Sequence, residues 1–100
     1  MFRLDPGPPG SPGSAATVRL IGRLDGVEAN RALAAFSALE GSIVADCSEL
    51  EYISSAGIAA LLVTLQRLNK AGHTFRLHPV QPRVRNVFKY AGLAEMLGIE

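Results

Sequence analysis

A small α/β fold, a mixed four-stranded sheet with helices packed on it, is what this chain of 100 residues predicts. Three observations carry that expectation. Short β-rich runs alternate with segments whose apolar residues recur at helical spacing, and strands separated by helices pair in parallel through crossovers. The helical segments run out at glycines, the usual residue after a helix end. A stretch near the start, Pro6 to Gly13, holds four prolines, three glycines and one serine and can form neither helix nor central strand.

Taken in order, Phe2–Leu4 can add an antiparallel edge strand, and Pro6–Gly13 is a loop joining it to the next strand or else a flexible tail; the loop is preferred. Thr17-Val18-Arg19-Leu20-Ile21-Gly22 alternates and is β-rich, a strand with one buried face. The turn Leu24-Asp25-Gly26 follows. Ala29, Ala32, Leu33, Phe36 and Leu39 then recur at helical spacing, with Gly41 as the stop. Ile43–Cys47 reads as a short apolar strand, buried on both faces if central.

After a short loop, Ile58, Leu61, Leu62, Leu65 and Leu68 mark one face of a helix from Ala56 onward. Gln66, Arg67, Asn69 and Lys70 make its polar side, and Gly72 ends it. Thr74–Pro79 alternates as a further strand. Pro82 suits a first helical position, and Val84, Val87, Phe88 and Ala91 give an apolar face that stops at Gly92. A short apolar turn, Ala94–Leu97, closes the pattern.

Composition bounds the function. One domain over residues 1–100 is expected, with 48% apolar and 19% charged residues placing it among globular chains. A formal charge of +1 offers no electrostatic case for nucleic acid or an anionic membrane as partner. The lone Cys47 excludes an internal disulfide and fits a reducing compartment. No apolar run reaches the length of a membrane span, and the start lacks the marks of a signal peptide, so no membrane insertion and a cytoplasmic location are expected.

The chemistry concentrates at Ser54 and Ser55, where a strand, a loop and a helix N-terminus meet. Such a junction presents open backbone N–H groups and the positive end of a dipole, so it can accept an anion such as phosphate. The plain alternative is that the serines cap the helix. Asp25 and Asp46 fall at predicted strand ends, and strand ends of a parallel sheet cluster on one side, so both can lie near the serines. No nucleophile triad, paired carboxylates or glycine-rich phosphate loop accompanies them. His73 and His78 lack metal-ligand spacing, Cys47 suits a small core residue, and Arg83, Arg85 and Lys89 suit a solvated helix face. A binding protein is expected rather than an enzyme, with no catalytic residue, metal or cofactor.

Four segments in order give the chain a family likeness. Gly22-Arg23-Leu24-Asp25 resembles the Gly-x-Leu-Asp that ends the second strand of STAS domains, and Asp46-Cys47-Ser48 resembles their Asp-Leu-Ser. Tyr52-Ile53-Ser54-Ser55-Ala56-Gly57-Ile58 resembles the phosphorylation loop of the anti-sigma factor antagonists, and Ala91-Gly92-Leu93 their Ser/Ala-Gly-Leu. The likeness spans roughly Thr17 to Ile99. It implies two partners: a serine kinase of the histidine-kinase-like ATPase fold that doubles as anti-sigma factor, and a metal-dependent serine phosphatase. By position, the phosphorylated residue is Ser55, with Ser54 the lesser candidate, and the partner surface includes Asp25, Ser54, Ser55, Gly57 and Ile58. The chain departs from the family where Ser54 replaces a frequent Asp and Ala56 a frequent Ser or Thr. The helix after Asp25 is also shorter by about a turn. Two other STAS roles stay open: a subunit of an ABC-type lipid transporter, whose N-terminal strand is often abbreviated, and a partner-switching adaptor with an output other than sigma.

Overall fold

A computed structural model describes residues 2–7, 15–39, 41–97 and 99. Its elements follow as β1 (Phe2–Pro6), β2 (Ala16–Leu24), α1 (Ala29–Ser37), β3 (Ile43–Ile53), α2 (Ser55–Lys70), β4 (Phe75–Val80) and α3 (Pro82–Tyr90). The strands form one sheet in the order β1-β2-β3-β4. β1 runs antiparallel to β2, whereas β2–β3 and β3–β4 are parallel and joined through α1 and α2. The expected mixed four-stranded α/β architecture is what the chain adopts. Of the Pro- and Gly-rich stretch, residues 8–13 lie outside the described residues; Gly7 donates its N–H to the Thr17 carbonyl at 2.6 Å.

The main departure from the sequence reading is β3. It does not stop at Cys47 but continues to Ile53 over 11 residues, so the predicted loop after Cys47 is mostly strand. Two irregularities hid it. Arg19 pairs with Asp46 and Ile21 with Glu49, then Gly22 with Leu50 and Arg23 with Tyr52, so β3 twice advances one residue more than β2. Each extra residue shifts the side-chain phase, and the buried positions run Ile43, Ala45, Cys47, then Leu50, then Ile53. Gly22, beside the second irregularity, has a left-handed backbone at φ 92°, open to glycine at no steric cost.

Those inward residues meet Val18, Leu20 and Leu24 of β2, Phe75 and Leu77 of β4, and the buried faces of all three helices in one core. Phe36 of α1 packs edge-to-face on Phe75, ring centroids 5.4 Å apart. Arg67 of α2 donates to the Phe36 carbonyl at 2.9 Å and ties the two helices together. The turn after α3 closes on the sheet through Leu77 N–H to the Leu97 carbonyl, 3.0 Å.

The opposite face of the sheet is open. Thr17, Arg19, Arg23, Glu49, Glu51, Tyr52 and Arg76 are exposed there, and Arg19 pairs with Glu49 across β2 and β3. β3 is central yet buried on one face only, since Val44 and Asp46 on its other side are half-buried. A parallel sheet needs both faces covered only when both are apolar, and here the second face carries charge. Among the described residues no helix is long and apolar enough to cross a membrane.

Cys47 is fully buried in the core. Burial pushes its thiol from the ordinary 9.0 up to about 12, with the Asp46 charge adding to the shift. The native protein is therefore expected to resist alkylation by iodoacetamide at pH 8 and to react once denatured. The unfolded thiol ionises above about pH 9.0 and the folded one only near 12, so the folded state holds the extra proton in that window. Stability is accordingly lost as pH rises through it. A Cys47→Val variant, compared by thermal melts over the same range, lacks that part of the alkaline loss.

Candidate functional site

At the ends of β2 and β3 the chain turns twice, and the two turns are joined by backbone. Leu24 and Ile53 form the last pair of the β2–β3 ladder, and the Leu24 carbonyl accepts the Ser54 N–H at 2.9 Å. From Leu24 the chain enters a turn held by Asp25. Its Oδ1 accepts the N–H groups of Val27 and Glu28 at 3.2 and 3.1 Å, and its carbonyl accepts Ala29 N–H at 3.0 Å. Asp25 thus shapes the entry to α1, as aspartate does in turns. From Ile53 the chain enters α2 through Ser54.

Ser54 is the N-cap of α2. Its backbone is extended (φ −91°, ψ 172°), and its hydroxyl oxygen accepts the Gly57 N–H at 3.1 Å. Ser55, the first helical residue, is exposed, whereas Ser54 is half-buried. With the third amide of the helix taken by Ser54, those of Ser55 and Ala56 are the open donors of this turn. Of the serine pair, then, one residue caps the helix and the other faces solvent.

Gly57 is buried, and the reason is a close approach. A Cβ on it would sit 2.7 Å from the Leu24 carbonyl oxygen and 2.9 Å from both Ile53 Cγ1 and Leu24 Cγ. The first turn of α2 rests on the end of β2 only because residue 57 has no side chain. Gly57 shapes the surface from beneath, and Ile58 is half-buried and packs on the core.

Of the residues expected together, Asp25, Ser54 and Ser55 are assembled here. Asp46 is not. It lies mid-strand opposite Arg19, accepts Ser48 N–H and Oγ–H at 2.9 and 2.7 Å, and is seven strand residues, roughly 20 Å of chain, before Ile53. The expectation that it ends a strand beside the serines fails because β3 runs on. Among the described residues no three His, Cys, Asp or Glu side chains are grouped to hold a metal. Arg83 and Lys89 are exposed on α3, and Arg85 is half-buried.

The structure adds residues that sequence reasoning passed over. Val27, on the Asp25 turn, is 82% exposed. On α2 the exposed positions up to Gln66, namely Ser55, Ala56, Ala59, Val63 and Gln66, carry no charge, which enters only with Lys70 in the last turn, whereas the outward face of a surface helix is normally charged along its length. At the rim, the Arg23 guanidinium lies 4.2 Å from the Tyr52 ring centroid. A signal was present in the absence of any Asp, Glu, Lys or Arg from Tyr52 to Gln66.

A protein-family model described as "Mlab, STAS domain" matches residues 9–98. No curated protein matches the chain. Among solved structures, the anti-sigma factor antagonist SpoIIAA in its unphosphorylated form is 21% identical, with a TM-score of 0.67 over 90% of this chain and 83% of that one. The Bacillus cell fate determinant SpoIIAA in the phosphorylated form is 23% identical, with a TM-score of 0.68 over 100% of this chain and 91% of that one. At these identities the likeness establishes the fold.

Proposed function

We propose that this chain, which belongs to the STAS domain family, is an anti-sigma factor antagonist switched by phosphorylation of Ser55. In its unmodified form it binds a serine kinase of the histidine-kinase-like ATPase fold that is also the anti-sigma factor, and so frees the sigma factor. Phosphorylation ends that binding, and a metal-dependent serine phosphatase restores it. The protein supplies a surface and a phosphoacceptor and works in the cytoplasm. The observation that carries this reading is the solvent-facing Ser55 at the start of α2, beside the Asp25 turn.

Phosphorylation adds roughly 1.5 to 2 negative charges and strong acceptor oxygens. At the first helical position that charge meets open amides and the positive dipole end, so the domain keeps its fold. A partner seated on the uncharged face of α2 and on Val27 meets a dianion that it must desolvate. Both an unphosphorylated and a phosphorylated SpoIIAA structure share this fold, at TM-scores of 0.67 and 0.68, which is consistent with a switch that does not refold the domain.

If the face is an interface, Val27→Lys weakens partner binding by about tenfold or more, the cost of a charge at an apolar contact. Arg76→Ala, on the open side of the sheet, leaves binding unchanged. Titration calorimetry with the captured partner reads both.

A second reading is a STAS subunit of an ABC-type lipid transporter. One observation favours it: the matching family model is described by a name other than that of the antagonists. Paired capture from lysate of the source organism separates the two, with Ser55→Ala and Ser55→Asp as baits and mass spectrometry as readout. A histidine-kinase-like ATPase held by the Ala form and lost from the Asp form supports the antagonist. Permease and transporter ATPase subunits held by both replace it with the transporter subunit.

A further inference from the structure

We infer that Ser54 is a positioning residue that confines phosphoryl transfer to Ser55; this rests on the reading of Ser55 as phosphoacceptor. Two adjacent serines with equal intrinsic reactivity pose a choice, and the fold makes it. Ser54 is engaged through its N–H, its carbonyl and its hydroxyl oxygen. Its N–H donates to the Leu24 carbonyl at 2.9 Å, its carbonyl accepts Ile58 N–H at 2.9 Å, and its hydroxyl oxygen accepts Gly57 N–H at 3.1 Å. Ser55, one residue on, is exposed and has no side-chain hydrogen bond among the described residues.

In the transfer, serine Oγ forms a bond to the γ-phosphorus of ATP, and the bond from that phosphorus to the β–γ bridging oxygen breaks. ADP leaves, and the hydroxyl proton passes to a base of the kinase. For Ser54 to act as nucleophile its half-buried Oγ must be drawn out to the γ-phosphorus, away from Gly57. That strips the partner from an amide on a buried residue wedged against Leu24, and an unsatisfied buried donor is costly. Ser55 can attack with nothing broken. The same cap fixes where the first turn of α2 begins and hence where the Ser55 hydroxyl stands. The structure assigns to Ser54 the cap that an aspartate at this position could also provide, so loss of the carboxylate found in relatives does not loosen the site.

The test maps phosphate by fragment mass spectrometry on full chains isolated from cells of the source organism: wild type, Ser54→Ala, Ser54→Asp, Ser55→Ala and Ile99→Val. Gly57 amide exchange is followed by NMR on the unmodified proteins. Phosphate is expected on Ser55 alone in wild type, and on neither serine in Ser55→Ala. Ser54→Asp keeps both Gly57 protection and Ser55 occupancy. Ser54→Ala loses Gly57 protection, and its Ser55 occupancy falls about fivefold, the ratio set by loss of a typical N-cap. Ile99→Val, a modest core loss remote from the site, keeps full occupancy and separates positioning from general stability. Phosphate on Ser54 in wild type or in Ser55→Ala overturns the inference, as does full occupancy in Ser54→Ala or an equal fall in Ile99→Val. Phosphate on neither serine of any chain overturns the phosphoacceptor reading itself, and the positioning role with it.

Discussion

A Ser55→Asp variant keeps the fold and stability of the parent and loses its partner. The side chain at this position is exposed and meets no core residue, so the exchange creates neither cavity nor strain. A carboxylate in the first turn of α2 interacts favourably with the helix dipole, by about 0.3 to 1 kcal/mol, so thermal stability holds or rises slightly. Binding responds in the opposite sense. The exposed residues Ala56, Ala59, Val63 and Val27 carry no charge, and the nearby Arg23 guanidinium is engaged on the Tyr52 ring at the rim, so a charge trapped under a partner is poorly compensated. An uncompensated buried charge costs several kcal/mol, and about 2.7 kcal/mol already means a hundredfold in affinity. On the proposed function, calorimetric titration of the captured partner should therefore show at least about a hundredfold weakening for Ser55→Asp and wild-type affinity for Ser55→Ala. Superposable NMR spectra of the two variants complete the expected result. Unchanged affinity in the Asp form would remove Ser55 as the switch, and a refolded spectrum would remove interface disruption as its mechanism.

Gly57→Val destabilises the domain by about 3 kcal/mol and displaces the serine loop. Its Cβ would meet the Leu24 carbonyl oxygen at 2.7 Å, and backbone cannot rotate away as a side-chain tip can. To relieve the overlap, α2 must lift from the end of β2, which breaks the Ser54 N–H bond to Leu24 and loosens the Ser54 cap on residue 57. Overpacking of this kind costs about 1 to 3 kcal/mol and each lost hydrogen bond about 0.5 to 1.5. The better helix propensity of valine recovers only a few tenths. Gly26 is the control, in the adjoining turn with no atom within 4 Å of its ideal Cβ, so Gly26→Ala is expected to be nearly neutral. Urea denaturation of the two variants checks the contrast, and equal midpoints would show that α2 can shift without loss.

The fold was largely legible in the amino-acid order. Helical spacing from Ala29 to Phe36, from Ile58 to Leu68 and from Val84 to Phe88 identifies α1, α2 and α3, because each buries one stripe on the same core. Alternation identifies most of β2 and β4. Periodicity failed at β3 for a physical reason. An extra residue at each of two irregularities turns a spacing of two into a spacing of three, and Leu50 and Ile53 then look like loop residues although both point into the core. That same extension carries Asp46 away from the site.

At the site, residue identity and neighbourhood played separate parts. The sequence by itself determined that a serine pair precedes an uncharged stretch opening an apolar helix, that a glycine follows within the first turn, and that Asp25 sits in a turn after a strand. Each of these depends on local order. Only the tertiary structure decided that Ser54 caps while Ser55 faces solvent, that Gly57 is required by its contact with Leu24, and that Val27 stands out beside them. Those outcomes depend on how the end of β2 meets the start of α2, two segments about 30 residues apart in the chain. Local sequence specifies which groups can make a hydrogen bond or fill a space, and the packing of distant segments specifies which of them do.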